Sequence, residues 1–226
     1  MTLQTTLLSC IEMNPTIPAT GSIIWLHGLG ADGSDFSPIV PELNLWPQRP
    51  VRFIFPNAPS RPITINNGYV MPGWYDITSL SKIHGHLDNA GIEESVNAIR
   101  LLIEHEEQRG IPSNKIVLGG FSQGALIALM TGLRFEKPLG GIFALSGYFP
   151  FTPEELTQLA SSANTNTPIF IGHGKEDTIV PYFLGEKTFE LLKNKGYPVS
   201  FKSYAMAHSV NMPELNDIAG WLKTIF

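Results

Sequence analysis

Short apolar runs, each followed by a longer stretch at helical spacing, constrain this 226-residue chain more than any other feature. The runs SIIWLH (22–27), VRFIF (51–55), KIVLG (115–119), GGIFAL (140–145) and PIFI (168–171) read as strands, and residues 6–12 and 199–204 read as two more. Several are continuously apolar, which is what a strand covered on both faces needs. Helical patterns occupy 89–108, 122–135, 182–195 and 212–225. The first sets Ile92, Val96, Ile99, Leu102 and Ile103 on one face and stops at Gly110 with Pro112 beyond. Strand alternating with helix predicts an α/β fold with a mostly parallel central sheet and helices on both faces. No repeat, low-complexity tract or linker divides the chain, so residues 1–226 are read as one domain.

Composition narrows the class. Hydrophobic residues make up 43% of the chain and charged residues 15%, which excludes a disordered polyampholyte. A net charge of -5 without a long basic run argues against nucleic acid or an anionic membrane as partner. Cys10 is the single cysteine, so no intrachain disulfide forms, and this suits a reducing cytosol. The opening MTLQTTLLSC lacks Lys and Arg, and its apolar centre, Leu7-Leu8, is too short for a signal h-region. No apolar run approaches the ~20 residues of a membrane span. The expectation is a soluble cytoplasmic protein without stable membrane insertion.

Residues 56–87 (PNAPSRPITINNGYVMPGWYDITSLSKIHGHL) resist assignment to helix or strand. A long irregular segment in a compact fold is uncommon and usually functional. Its apolar members, Met71, Trp74, Tyr75 and Ile77, suggest packing near a ligand.

The chemistry begins at GFSQG, Gly120 to Gly124, which fits the nucleophile-elbow pattern G-x-S-x-G between a predicted strand and a predicted helix. A sharp turn there lifts the Ser122 hydroxyl clear of the sheet, and the helix behind it aims its N-terminal amides at any negative charge that forms. The competing reading is a structural Gly-Ser turn. A neutral serine needs a base, and the base needs an orienting carboxylate. The expected chain order is Ser, then Asp or Glu, then His. Two histidines follow Ser122. His208 sits in YAMAHSV, just past the last strand. His173 follows PIFIG, with no suitably placed acid between it and the serine. Ser122, Asp177 and His208 satisfy the order, each just past a strand. Asp177 has helix capping as its alternative role, and Glu176 is the competing acid.

The reaction also needs donors for an oxyanion. The glycine-rich LHGLGADG (26–33) follows a strand, and the amides of Leu29 and Gln123 are the candidates. A phosphate-cradling loop is the other reading of HGLG, but the stretch lacks a Walker lysine and GxGxxG spacing. His84 and His86 (HGH) hint at a metal pair without a matching cluster, and His105 among Glu104, Glu106 and Glu107 reads as a solvated helix face. No metal or cofactor is expected.

The stretches LHGLGADG, PNAPSRPITINNGYVMPGWYDI, IPSNKIVLGGFSQGALIAL, HGKEDTIVP and MAHSV together resemble, in order and spacing, the acyl-protein thioesterase and bacterial carboxylesterase family. The resemblance implies a serine hydrolase of the α/β-hydrolase fold, with nucleophile Ser122, acid Asp177, base His208 and oxyanion amides at Leu29 and Gln123. It implies hydrolysis of carboxylic esters or thioesters, including lysophospholipids and S-palmitoylated proteins. It also sets the segment around Met71, Trp74 and Ile77 beside an acyl-binding groove. Phe149 and Val180 join these three as candidate acyl contacts, with core packing as the alternative for each. Ala125 stands where several relatives have glycine, and SGYFPFTPEELTQLASSANTNTP departs in detail. The rival from another class is a non-catalytic ligand-binding protein on the same scaffold. A homodimer through exposed apolar loops is left open.

Overall fold

The computed structural model describes residues 6–78 and 87–226. Among these, nine strands run in chain order: β1 (Cys10–Met13), β2 (Gly21–Leu26), β3 (Val51–Pro56), β4 (Ser60–Ile63), β5 (Tyr69–Pro72), β6 (Ile116–Phe121), β7 (Gly141–Leu145), β8 (Ile169–Gly174) and β9 (Val199–Tyr204). The α-helices are α1 (Asn89–Gln108), α2 (Gln123–Arg134), α3 (Pro153–Leu159), α4 (Tyr182–Asn194) and α5 (Met212–Leu222). Seven strands form one sheet in the order β1-β3-β2-β6-β7-β8-β9. β1 is antiparallel at one edge, and every other neighbouring pair is parallel. β4 and β5 make a separate antiparallel hairpin within the segment that resisted assignment.

The two-sided sheet follows from the apolar runs. Successive strand residues point to opposite faces, so Ile24, Leu26, Leu118, Ile142 and Ile171 enter one core layer while Ile23, Trp25, Val117, Phe143 and Phe170 enter the other. The first layer is closed by α1, α2 and Leu192 of α4, the second by Leu215, Ile218 and Leu222 of α5 with Val40 and Leu43 of a 3-10 turn. The α1 stripe Ile92, Val96, Ile99, Leu102 and Ile103 is buried, each side chain contributing about 1.5–3 kcal/mol. Asp88 caps this helix by accepting from Gly91 N at 2.9 Å.

Two local readings change. Glu106, taken as part of a solvated helix face, is fully buried; it receives Ser22 Oγ–H and pairs with Arg52 (2.6 Å) and Arg109 (2.9 Å). The hairpin and α3 interrupt stretches that carried no predicted element. His84 and His86 lie outside the described residues. Among the described residues no helix is long and apolar enough to cross a membrane.

Candidate active site

Because β2, β6, β7, β8 and β9 are parallel, their carboxyl ends share one edge, where clefts form in open α/β sheets. Leu29 follows β2, Ser122 follows β6, Asp177 follows β8 and His208 follows β9. Residues nearly 180 positions apart in the chain therefore converge.

β6 ends at Phe121 and α2 begins at Gln123, leaving Ser122 alone in the turn with φ 55° and ψ -116°. That conformation costs an L-residue about 1–3 kcal/mol. Ser122 N–H donates to Leu145 O at 2.8 Å, and Ser122 O accepts from Ala125 N at 3.0 Å, which holds the turn. The flanking glycines serve close backbone packing: a Cβ on Gly120 would stand 2.2 Å from Gly124 O, and one on Gly124 would stand 2.6 Å from His27 O.

His208 Nε2 lies 2.9 Å from Ser122 Oγ, and His208 Nδ1 lies 2.7 Å from Asp177 Oδ2. A carboxylate only accepts, so Nδ1 carries the proton and Nε2 is free to accept from the serine hydroxyl. Asp177 Oδ1 accepts from the amides of Ile179 (2.9 Å) and Val180 (2.8 Å), so the carboxylate is buried yet fully engaged. The competing acid, Glu176, is exposed. The loops bearing acid and imidazole are laced together: Lys175 N donates to Tyr204 O at 2.8 Å and Glu176 N to Met206 O at 3.1 Å. Phe121 packs its ring 4.8 Å from that of His208.

The loop after β2 is pinned from behind. Ala58 N donates to His27 Nε2 at 3.0 Å, so Nδ1 holds the proton and donates to Gly28 O at 2.7 Å. Burial lowers the pKa of His27, keeping it neutral. Trp74 Nε1 donates to His27 O at 2.9 Å, and Gly30 N to Pro72 O at 2.8 Å. The buried Gln123 side chain accepts from Trp74 N (2.8 Å) and donates to Tyr75 O (2.5 Å), tying the start of α2 to the same segment.

These residues surround a cavity of about 530 Å³. Ser122, Gln123, His208 and Leu29 line it, with Phe36, Phe121, Tyr148 and Ile179 as apolar walls. Of the five residues proposed from sequence as acyl contacts, Ile77 and Val180 line this cavity. Trp74 is fully buried behind it, and Met71 lies against Gly30, where a Cβ would be 3.4 Å from its sulfur. Phe149 faces a second cavity of about 360 Å³ beside α4, which shares Tyr148 with the first. Sequence reasoning overlooked Tyr148, Phe36 and the Gln123 side chain; the position of Tyr148 just past the end of a parallel strand is the signal that marks it. Among the described residues no group of three or more His, Cys, Asp or Glu is arranged to hold a metal ion.

Comparison with known proteins adds the following. The sequence profile described as Phospholipase/Carboxylesterase matches residues 11–226. The acyl-protein thioesterase 1 of Yarrowia lipolytica is 38% identical over 208 residues, covering 90% of this chain and 91% of that protein. The crystal structure of Arabidopsis thaliana SOBER1 superposes with a TM-score of 0.83 at 34% identity, covering 90% of this chain and 98% of the other. That of Zea mays acyl-protein thioesterase 2 gives 0.81 at 28% identity, covering 96% and 98%.

Proposed function

The chain belongs to the phospholipase/carboxylesterase family of α/β-hydrolases, and from that premise we propose that it cleaves acyl esters or thioesters through an acyl-enzyme on Ser122. The observation that carries this reading is the relay of 2.7 and 2.9 Å from Asp177 through His208 to a serine hydroxyl opening into the cavity.

Ser122 Oγ attacks the acyl carbonyl carbon while His208 Nε2 takes its proton. Asp177 orients His208 and stabilises the imidazolium. The amides of Leu29 and Gln123 receive the developing oxyanion, aided by the positive end of α2. Collapse expels the alcohol or thiolate, which takes the proton from His208. Water then gives a proton to His208 and attacks the acyl group, releasing the acid and restoring the serine. Ile77, Val180, Tyr148 and Ile179 provide an apolar surface for the acyl chain. The name acyl-protein thioesterase, borne by relatives, supports S-acyl cysteine peptides as a substrate class for this chain. The single cysteine fits a cytoplasmic setting, and the whole chain acts as one domain in this reading.

The test is hydrolysis of chromogenic acyl esters of increasing chain length, and of an S-acylated cysteine peptide, by wild type and Ser122→Ala. Turnover should fall by about 10⁴-fold or more in the variant while its unfolding transition is unchanged. Wild-type rates in folded Ser122→Ala would refute the acyl-enzyme. Folded wild type inert on every substrate would favour the ligand-binding alternative.

A further inference from the structure

His173 is the histidine that chain order passes over as a base, yet it is fully buried at the end of β8 and lies beside Asp177. Its Nε2 is 2.8 Å from Val180 O and 3.4 Å from Asp177 Oδ2. A carbonyl oxygen only accepts, so Nε2 carries the proton. Nδ1 is buried without a hydrogen-bond partner among the described residues, and a Cβ on Gly185 of α4 would stand 2.4 Å from it. The ring meets Tyr182 edge-on with centroids 6.0 Å apart. A second proton on Nδ1 would have no acceptor among the described residues, and burial lowers the pKa of the ring, with the Val180 carbonyl, Asp177 and Glu186 of α4 opposing and His208 reinforcing that direction.

The turn from Asp177 to Val180 is thus closed from two sides. Asp177 Oδ1 holds the amides of Ile179 and Val180, while His173 holds the carbonyl of Val180. With Oδ1 committed inward, Oδ2 is the oxygen presented to His208 Nδ1. We infer that His173 is a positioning residue for the Asp177–His208 pair: a neutral donor clamped between α4 and the acid turn that fixes which carboxylate oxygen meets the base. Neutrality matters. A cation at this place would offset the Asp177 charge that stabilises the His208 imidazolium, whereas a neutral N–H orients the turn and leaves the charge intact.

This inference rests on the serine-hydrolase reading, so it is measured only on turnover that Ser122→Ala abolishes; loss of that control fails the parent reading, not this one. His173→Phe removes the donor but keeps a planar ring, and His173→Gln keeps an N–H within reach of Val180 O. With a soluble short-chain ester, kcat of His173→Phe should fall at least about tenfold with KM within about twofold. His173→Gln should retain at least about a third of wild-type kcat. In His173→Phe the acidic limb of the kcat/KM profile should move to lower pH, because an Asp177 no longer held on target stabilises protonated His208 less. Gly185→Ala supplies an independent approach from α4: it leaves His173 chemically intact, displaces its ring, and should reproduce both the loss of kcat and the moved limb even if His173→Phe does not fold. A merely structural ring would make Gln as harmful as Phe and leave the limb in place. That result, or wild-type kcat in His173→Phe or in Gly185→Ala, would overturn the assignment.

Discussion

Glu214 should destabilise the folded protein as pH rises, and replacing it with glutamine should remove that dependence. Glu214 lies in the first turn of α5, fully buried, with neither carboxyl oxygen hydrogen-bonded to a described residue. Its Oε1 rests on the backbone of β8, where a Cβ on Gly172 would stand 2.1 Å away. Burial raises its pKa from the ordinary 4.5 to about 8, with Asp217 acting in the same direction. The N-terminal end of α5 favours the anion, but by only about 0.3–1 kcal/mol, less than the desolvation it opposes. A raised acid pKa means that between pH 4.5 and 8 the folded chain keeps a proton the unfolded chain has given up, so stability falls across that window and levels off above it. At about 1.4 kcal/mol per pH unit the loss is near zero at pH 4.5, about 2 kcal/mol at pH 6 and at most about 5 kcal/mol at pH 8. Glutamine has the same shape and no ionisation. Its unpartnered amide adds a cost of about 1–3 kcal/mol that does not vary across this range. Urea unfolding of both proteins at pH 5, 6.5 and 8 should therefore show the variant gaining on wild type by several kcal/mol as pH rises. A difference that stays constant with pH would refute the claim that Glu214 is protonated in the fold.

Two further substitutions probe the walls of the site. Gly124→Ala places a methyl 2.6 Å from His27 O and 2.7 Å from Leu26 O, so α2 must back away from β2. Ester turnover should drop by about 10²-fold or more, since an ångström of misplacement is enough for that; near-normal kcat in a folded variant would show that the elbow tolerates the shift. Gln123→Leu leaves Trp74 N and Tyr75 O buried without partners. Denaturant unfolding should register a loss of about 2–4 kcal/mol, and kcat/KM should fall at least about tenfold because Tyr75 and Ile77 wall the cavity. A variant as stable as wild type would mean that water replaces the amide.

What could be read from sequence divides along a physical line. Strands covered on both faces announce themselves as apolar runs, and β9, where half-buried and exposed positions alternate, announces itself by alternation. The candidate triad was legible because parallel topology collects strand ends at one edge, so chain order stands in for distance. The β4–β5 hairpin was not, since Pro62 and Pro72 suppress the strand signal. Asn67 and Gly68, both at positive φ, are the turn signature that was passed over. Helix α3 likewise carried its mark in the Thr152–Glu155 capping box. The residues proposed as acyl contacts reach different places for a deeper reason. Apolar character brings Trp74 and Ile77 to the same region, but only the neighbours of each decide that the indole backs the loop after β2 while the isoleucine meets the cavity. Buried charge is harder still. Glu106 is engaged by Ser22, Arg52 and Arg109 across as many as 84 positions, whereas Glu214, six residues past His208, is hydrogen-bonded to no described residue. Neither the pairing nor its lack has a local pattern, because each depends on which backbone the fold lays over the side chain. The same holds for His173: chain order dismisses it as a base, and only the approach of α4 and the acid turn reveals a neutral donor with one face for Val180 and none for a second proton.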